Sequence, residues 1–152
     1  MAKTLLAEKP VVIDASNLIL GRLASIVAKH LLSGESVVVV NAEKAVVTGE
    51  RSSILKEAHT RLEIRTHGSK SKSPKHPRRP DGIIRRTVRG MLPREKEKGK
   101  AAFSHLRVYI GVPGDIDTPT AVRPRMAESR SMIRLTTVGE IAQSIGWKPT
   151  EA

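Results

Sequence analysis

No cysteine occurs in the 152 residues, and only three side chains are aromatic: Phe103, Tyr109 and Trp147. The first absence excludes a disulfide framework, a thiolate nucleophile and a cysteine-ligated zinc site. The second means that the core is built from Val, Ile, Leu and Ala. Long apolar runs are missing too. The longest, Val37-Val38-Val39-Val40, falls far short of the roughly 18 residues that span a bilayer. Met1 to Lys9 carries Lys3, Glu8 and Lys9 and no apolar stretch of the signal-peptide kind. The expectation is a soluble, intracellular protein.

Negative charge is also scarce. Lys and Arg number 27 against 15 Asp and Glu, a net charge of +12. Such a balance attracts polyanions. Residues 1–64 and 101–152 each carry a net charge of only +1, whereas residues 65–100 hold 13 basic and 3 acidic side chains, a net of +10. That much like charge repels itself unless something anionic lies against it. A polyanion-binding arm set into an otherwise neutral domain is expected.

What surrounds the arm alternates between strand and helix patterns. Val11-Val12-Ile13 is a short apolar run closed by Asp14-Ala15-Ser16-Asn17, residue types that cap helices. Leu20, Leu23, Ala24, Val27 and Leu31 then recur at helical spacing, up to Ser33-Gly34. The four valines that follow fit a strand buried on both faces of a parallel sheet. Together these segments make a βαβ unit. A second helix is expected from about Ser52, burying Ile54, Leu55, Ala58 and Leu62.

From His67 to Pro80 there is no periodicity, three prolines and no large apolar side chain, which describes an exposed loop with nothing to fix it. Asp81 is expected to cap a third helix with Ile83, Ile84, Thr87, Val88 and Met91 inward and Arg85, Arg86 and Arg89 outward. A short charged helix over Arg94 to Phe103, a strand through Leu106, Val108 and Ile110, and a milder basic loop from Asp115 to Ser131 come next. Thr137-Val138-Gly139-Glu140 reads as a capping box opening a last helix. The pattern predicts a single α/β domain over residues 1–152. Its layers are α/β/α, its sheet mainly parallel, its arm spans about 65–100, and a C-terminal extension spans about 115–152.

None of the three aromatic residues lies within the arm, so recognition by stacked bases is not the first expectation. Helix-turn-helix, zinc-finger and basic-zipper patterns are absent as well. A folded RNA surface read by shape and charge fits better. A membrane surface does not, because the arm has no Trp, Phe or Leu wedges to bury. His30, His59, His67, His76 and His105 are scattered. His67 and His76 sit in the basic loop without cysteine or carboxylate neighbours, which argues against a metal site. His30 and His59 are expected at helix surfaces or boundaries. Asp14, after the first strand, occupies a place where α/β enzymes bind ligands, but no glycine-rich phosphate loop accompanies it. A helix-capping role is the expectation there. No catalytic constellation stands out, and no cofactor or small-molecule substrate is expected. An RNA- or nucleotide-processing enzyme on the same scaffold and a regulatory mRNA binder are the competing classes.

Several segments resemble the ribosomal protein L13 family. They are Asp14 to Ser25, Val39 to Gly49 (reading VVNAEKAVVTG), Ile83 to Pro93 (IIRRTVRGMLP) and Leu106 to Gly111 (LRVYIG), in family order from about Val11 to Gly114. The resemblance implies a four-stranded parallel sheet and a structural, ribosomal role in the cytoplasm. It also implies binding to large-subunit (23S-type) rRNA during assembly, beside neighbouring large-subunit proteins. The loop after Arg65 and the segment ending in Ile145-Gly146-Trp147 look like the archaeal and eukaryotic branch, and the compact length favours an archaeal source. The residues expected to meet RNA are Arg65, His67, Lys70, Lys72, Lys75, His76, Arg78, Arg79, Arg85, Arg86, Arg89, Arg94, Lys96, Lys98 and Lys100.

Overall fold

The computed structural model describes residues 10–68, 70–114, 121–129 and 134–149. In chain order its elements are β1 (Val11–Asp14), α1 (Leu20–Leu32), β2 (Val37–Val40), β3 (Val46–Thr48), α2 (Arg51–Glu63), α3 (Pro80–Met91), α4 (Glu97–Ser104), β4 (Leu106–Val108), β5 (Leu135–Thr137) and α5 (Val138–Ser144). Strands β1, β2 and β4 form a parallel sheet in the order β1-β2-β4, while β3 and β5 make an antiparallel pair. The four valines of β2 are all buried because β2 is the central strand, with a neighbour on each side.

One face of the sheet carries the main core. Ile13, Val37, Val39 and Leu106 meet Leu23, Val27 and Leu31 of α1 and Ile84 and Val88 of α3 in one cluster. Each of these side chains contributes about 2 kcal/mol by leaving water. Helix α1 packs directly on α3, which fixes the platform that presents the basic arm. On the opposite face Val12, Val38 and Val40 form a smaller cluster against Ala121.

The mixed α/β domain with a mainly parallel sheet is the one expected, but its details differ. Among the described residues the sheet has three strands, and the place of a fourth beside β1 is held by one parallel bridge between Ile13 and Val122. The segment 121–129 runs as a strap along that edge. Val122 N–H donates to the Val12 carbonyl at 2.8 Å, Ile19 N–H to the Ala127 carbonyl at 2.8 Å, and Ser129 N–H to the Asn17 carbonyl at 3.3 Å. The basic loop expected here is thus, over its described part, stitched to β1 and the β1–α1 connection. Pro119 and Arg130 of that loop lie outside the described residues.

Asp14 does not cap a helix. Helix α1 starts six residues later, after Ile19, and has no side-chain cap. The Asp14 carboxylate instead accepts from Ser16 N–H (3.0 Å), the Ser16 hydroxyl (2.7 Å) and the Asn41 amide (2.9 Å) through Oδ1, and from Arg123 Nε (2.8 Å) and Nη2 through Oδ2. Asn41 adopts a left-handed conformation (φ 56°), tolerable for asparagine, that turns its amide toward Asp14. Burial alone would raise the Asp14 pKa. The hydrogen bonds from Ser16, Asn41 and Arg123 outweigh it and hold the pKa down at about 2.

Two expectations about α3 also change. Pro80 takes its first position and Arg79 its N-cap, because proline is pre-set for a first helical turn. Asp81 sits one residue inside, paired with Arg79 Nε at 3.2 Å. Met91, expected inward, is 42% exposed at the end of the helix, beyond the edge of the core. The Thr137 half of the capping box forms, its hydroxyl oxygen accepting from Glu140 N–H at 3.1 Å, while the Glu140 carboxylate faces Arg51 Nε at 3.8 Å.

Replacing Asp14 by Ala strands the donors of Asn41 and Arg123 and should cost about 2–4 kcal/mol in urea unfolding near neutral pH. Because the folded pKa is depressed from 3.8 to about 2, the carboxylate's own contribution of about 2 kcal/mol is full above the unfolded value and is lost as pH falls through the folded one. Asp14→Asn should therefore flatten the acid limb of the stability curve.

Candidate nucleic-acid interface

The arm starts where α2 ends. Between Arg65 and Pro80 the chain has one short 3-10 turn, Lys70–Lys72, and its base is drawn together by Thr66 N–H donating to the Ser73 hydroxyl oxygen at 3.1 Å. Its last residues do not hang free. Arg86 Nη1 donates to the Lys75 carbonyl at 2.7 Å, His76 and Pro77 are half-buried, and Pro80 is buried. The loop lies so close to α3 that a Cβ on Gly82 would sit 2.8 Å from the Pro77 Cβ. The expectation of a loop with nothing to fix it thus fails at its C-terminal end.

This docking gathers five of the expected residues. Lys75 and His76 from the loop and Arg85, Arg86 and Arg89 from α3 line one open groove of about 430 Å³. Phe103 of α4 lines it too, with the Arg85 guanidinium 5.4 Å from its ring centroid. That stack orients Arg85 and keeps the guanidinium edge available for phosphate. Among the described residues, none of the three arginines pairs with a carboxylate. Asp81 is the one acidic side chain in the groove, and it is engaged with Arg79.

The remaining expected residues are not in the groove. Arg65, His67, Lys72, Arg94, Lys96, Lys98 and Lys100 are exposed, with Lys100 Nζ bound to Glu97 at 2.7 Å. Arg78 leans on the turn that ends α5: a Cβ on Gly146 would lie 3.3 Å from its Nη1. The Lys70 side chain lies outside the described residues. Desolvation, together with the charges of Arg86 and Arg61, pushes the His76 pKa below its ordinary value.

A model of the family described as "Ribosomal protein L13" matches residues 8–114. The chain belongs to the ribosomal protein L13 family. The large ribosomal subunit protein uL13 of Methanosarcina barkeri is 47% identical over 140 residues, covering 90% of this chain and 98% of that one. Its counterparts from Methanopyrus kandleri (43% identical, 93% and 89% covered) and Haloarcula marismortui (41%, 94% and 95% covered) are similar over nearly their whole length. Membership of the L13 family makes this a structural ribosomal protein rather than an enzyme, located on the ribosome in the cytoplasm.

Within this L13 domain, sequence reasoning missed Arg61 and Phe103. Arg61 sits on α2, paired with Glu57 one turn back, and lies outside the basic stretch of residues 65–100. Only the packing of the loop brings its charge to bear on His76. Phe103 gave no local signal, since its partner Arg85 comes from another helix.

Gly82→Ala should displace Pro77 from α3 and loosen the groove without unfolding the core. The expected result is an unfolding free energy in urea unchanged to within about 1 kcal/mol and weaker RNA binding in filter assays. Unaltered RNA affinity would mean that the loop's seat on α3 does not matter to binding.

Proposed function

We propose that this chain is a structural constituent of the large ribosomal subunit that binds folded large-subunit rRNA through residues 65–100 and supports subunit assembly. The relatives above carry large-subunit names, and the arm supplies chemistry that suits such a role. The observation that carries the proposal is the groove in which Arg85, Arg86, Arg89 and Lys75 converge without a carboxylate partner for the arginines among the described residues. Guanidinium groups take phosphate oxygens two at a time, so a row of them follows a backbone. Such contacts position an RNA more than they read its sequence. The exposed lysines at 72, 96, 98 and 100 extend the positive field around the groove and favour encounter. Neighbouring large-subunit proteins are the other expected partners, and no small-molecule substrate or membrane is involved.

Mechanistically the protein acts as a fixed template. The α1–α3 platform holds the arginines in place, docking releases counterions from the RNA, and the bound segment keeps the geometry that the groove imposes. Binding of large-subunit rRNA across a salt series tests this, with tRNA as competitor. Replacing Arg85, Arg86 and Arg89 together by Ala should make the slope of log affinity against log salt shallower by about three. An unchanged slope, or equal competition by tRNA, would reduce the arm to a generic polyanion tether.

His76 adds a pH signature. Desolvation, together with the charges of Arg86 and Arg61, lowers its pKa in the free protein and so disfavours its protonated form. Phosphates arriving on those arginines favour its protonated form, so binding takes up a proton. RNA affinity should rise as pH falls below the ordinary histidine value of 6.5, by at most about tenfold per pH unit. The free protein behaves oppositely: because the folded pKa is lowered, the histidine's contribution to stability is full above 6.5 and lost below it. Isothermal titration in buffers of different ionisation enthalpy should detect the proton, and His76→Gln should abolish it.

A further inference from the structure

Beside the arginine groove lies a second hollow of about 430 Å³ with a different lining. Ala58 and Leu62 of α2, Ile83 of α3, and Ile141 and Ile145 of α5 make its walls. It exists because α2 contributes no fully buried side chain: the helix rests on β5 and α5 as a cover and does not fill the space beneath it. His76, Pro77 and Arg86 line both hollows, so groove and slot share one wall. Arg61 stands at the slot as well, held by Glu57. The Nε2 of His76 is buried without a hydrogen-bond partner among the described residues.

We propose that this slot receives one unpaired base of the bound RNA while the adjoining backbone runs through the arginine groove. The inference rests on the reading that the chain binds rRNA, and adds a recognition element that phosphate contacts cannot supply. An apolar slot entered past Arg61, Arg86 and His76 suits a ligand with a flat apolar body and an anionic attachment. A nucleotide has both. A leucine or phenylalanine from a neighbouring protein would leave the Arg86 guanidinium without a counter-charge, since among the described residues it pairs with no carboxylate. A base held in a duplex cannot reach such a slot, because its faces are stacked and its edge is paired. A base splayed from a loop or bulge can. His76 lines the slot that the base enters. The loop thus divides the nucleotide: the phosphate stays on one side of the His76–Pro77 wall and the base passes to the other.

The test is footprinting of the full-length protein on large-subunit rRNA from an archaeon. Hydroxyl-radical cleavage reads the backbone. Dimethyl sulfate and carbodiimide read the exposed edges of unpaired bases. Wild type should protect a stretch of backbone and at least one unpaired base within it. Ala58→Phe, which fills the slot from α2, should lose that base protection and about tenfold in affinity while keeping the backbone footprint. Ile145→Trp fills the slot from α5 and should do the same, which guards against Ala58→Phe failing to fold; circular dichroism checks both. The proposal is overturned if no unpaired base is protected within the wild-type footprint. It is equally overturned if a protected base stays protected in whichever filled variants fold. Should both variants unfold, the milder Ala58→Val decides: a base protection and affinity equal to wild type would sink the proposal, and a loss of either would uphold it. Absence of any backbone footprint would instead remove the rRNA-binding reading itself, so the two failures are distinguishable.

Discussion

The Asp14 carboxylate is the point at which otherwise separate parts of the chain become one structure. It sits at the end of β1 and takes hydrogen bonds from the turn that follows, from Asn41 at the end of β2, and from Arg123, 109 residues away. Two β-strand ends, the entry to α1 and the strap 121–129 are thereby tied at one anion. Its position on the face opposite α1 and α3, beside Val12, Val38 and Val40, explains why an acidic residue belongs there. That face has only a small apolar cluster, and the strap that covers it arrives with its own arginine. Because the ties come from three directions, loss of any one donor leaves the carboxylate under-satisfied in a partly dry setting, where such debts are costly.

The same tie explains why the C-terminal residues complete the fold. The strap leads to β5, which pairs with β3, and to α5, which packs against α2 and α3. Ile141 and Ile145 of α5 then form walls of the slot, and Gly146 supports Arg78. Nearly neutral terminal thirds of the sequence thus build the seat for the basic middle. A positive arm docked on a neutral scaffold meets little self-repulsion from below, and its field points outward.

What was legible in the sequence follows the range of the interactions. The periodicity of Leu20 to Leu31, the valine run, and the Thr137 N-cap are governed by neighbours within a turn or a strand, and each formed where the sequence placed it. Asp14 was misread because Asp-Ala-Ser-Asn has the local chemistry of a cap, while its real partners lie 27 and 109 residues away. Among the described residues the fourth strand is reduced to one bridge, between Val122 and Ile13 of β1, a long-range pairing that local pattern does not reveal. Met91 kept the spacing of an inward residue but ran past the end of the core. In the site, the charge excess of residues 65–100 was plain, and Arg85, Arg86 and Arg89 do share a groove. The selection of Lys75 and His76 from the many basic candidates was not, since it depends on where Pro77 meets Gly82.

The arm's composition and its geometry therefore carry different information. Composition alone argues for shape and charge recognition, since no aromatic residue lies between 65 and 100. Folding brings Phe103 under Arg85 and places an apolar slot behind His76, so the finished surface is less purely electrostatic than its sequence. A salt-sensitive row of arginines will hold any suitably curved polyanion, and on a ribosome such polyanions are everywhere. Discrimination has to come from something that charge does not sense: the rigid spacing of guanidinium groups on α3, and a cavity that accepts an unpaired base but no duplex. The helix itself sets the first, whereas the slot's shared wall depends on the loop being seated on α3, and the seat depends on the absence of a side chain at Gly82.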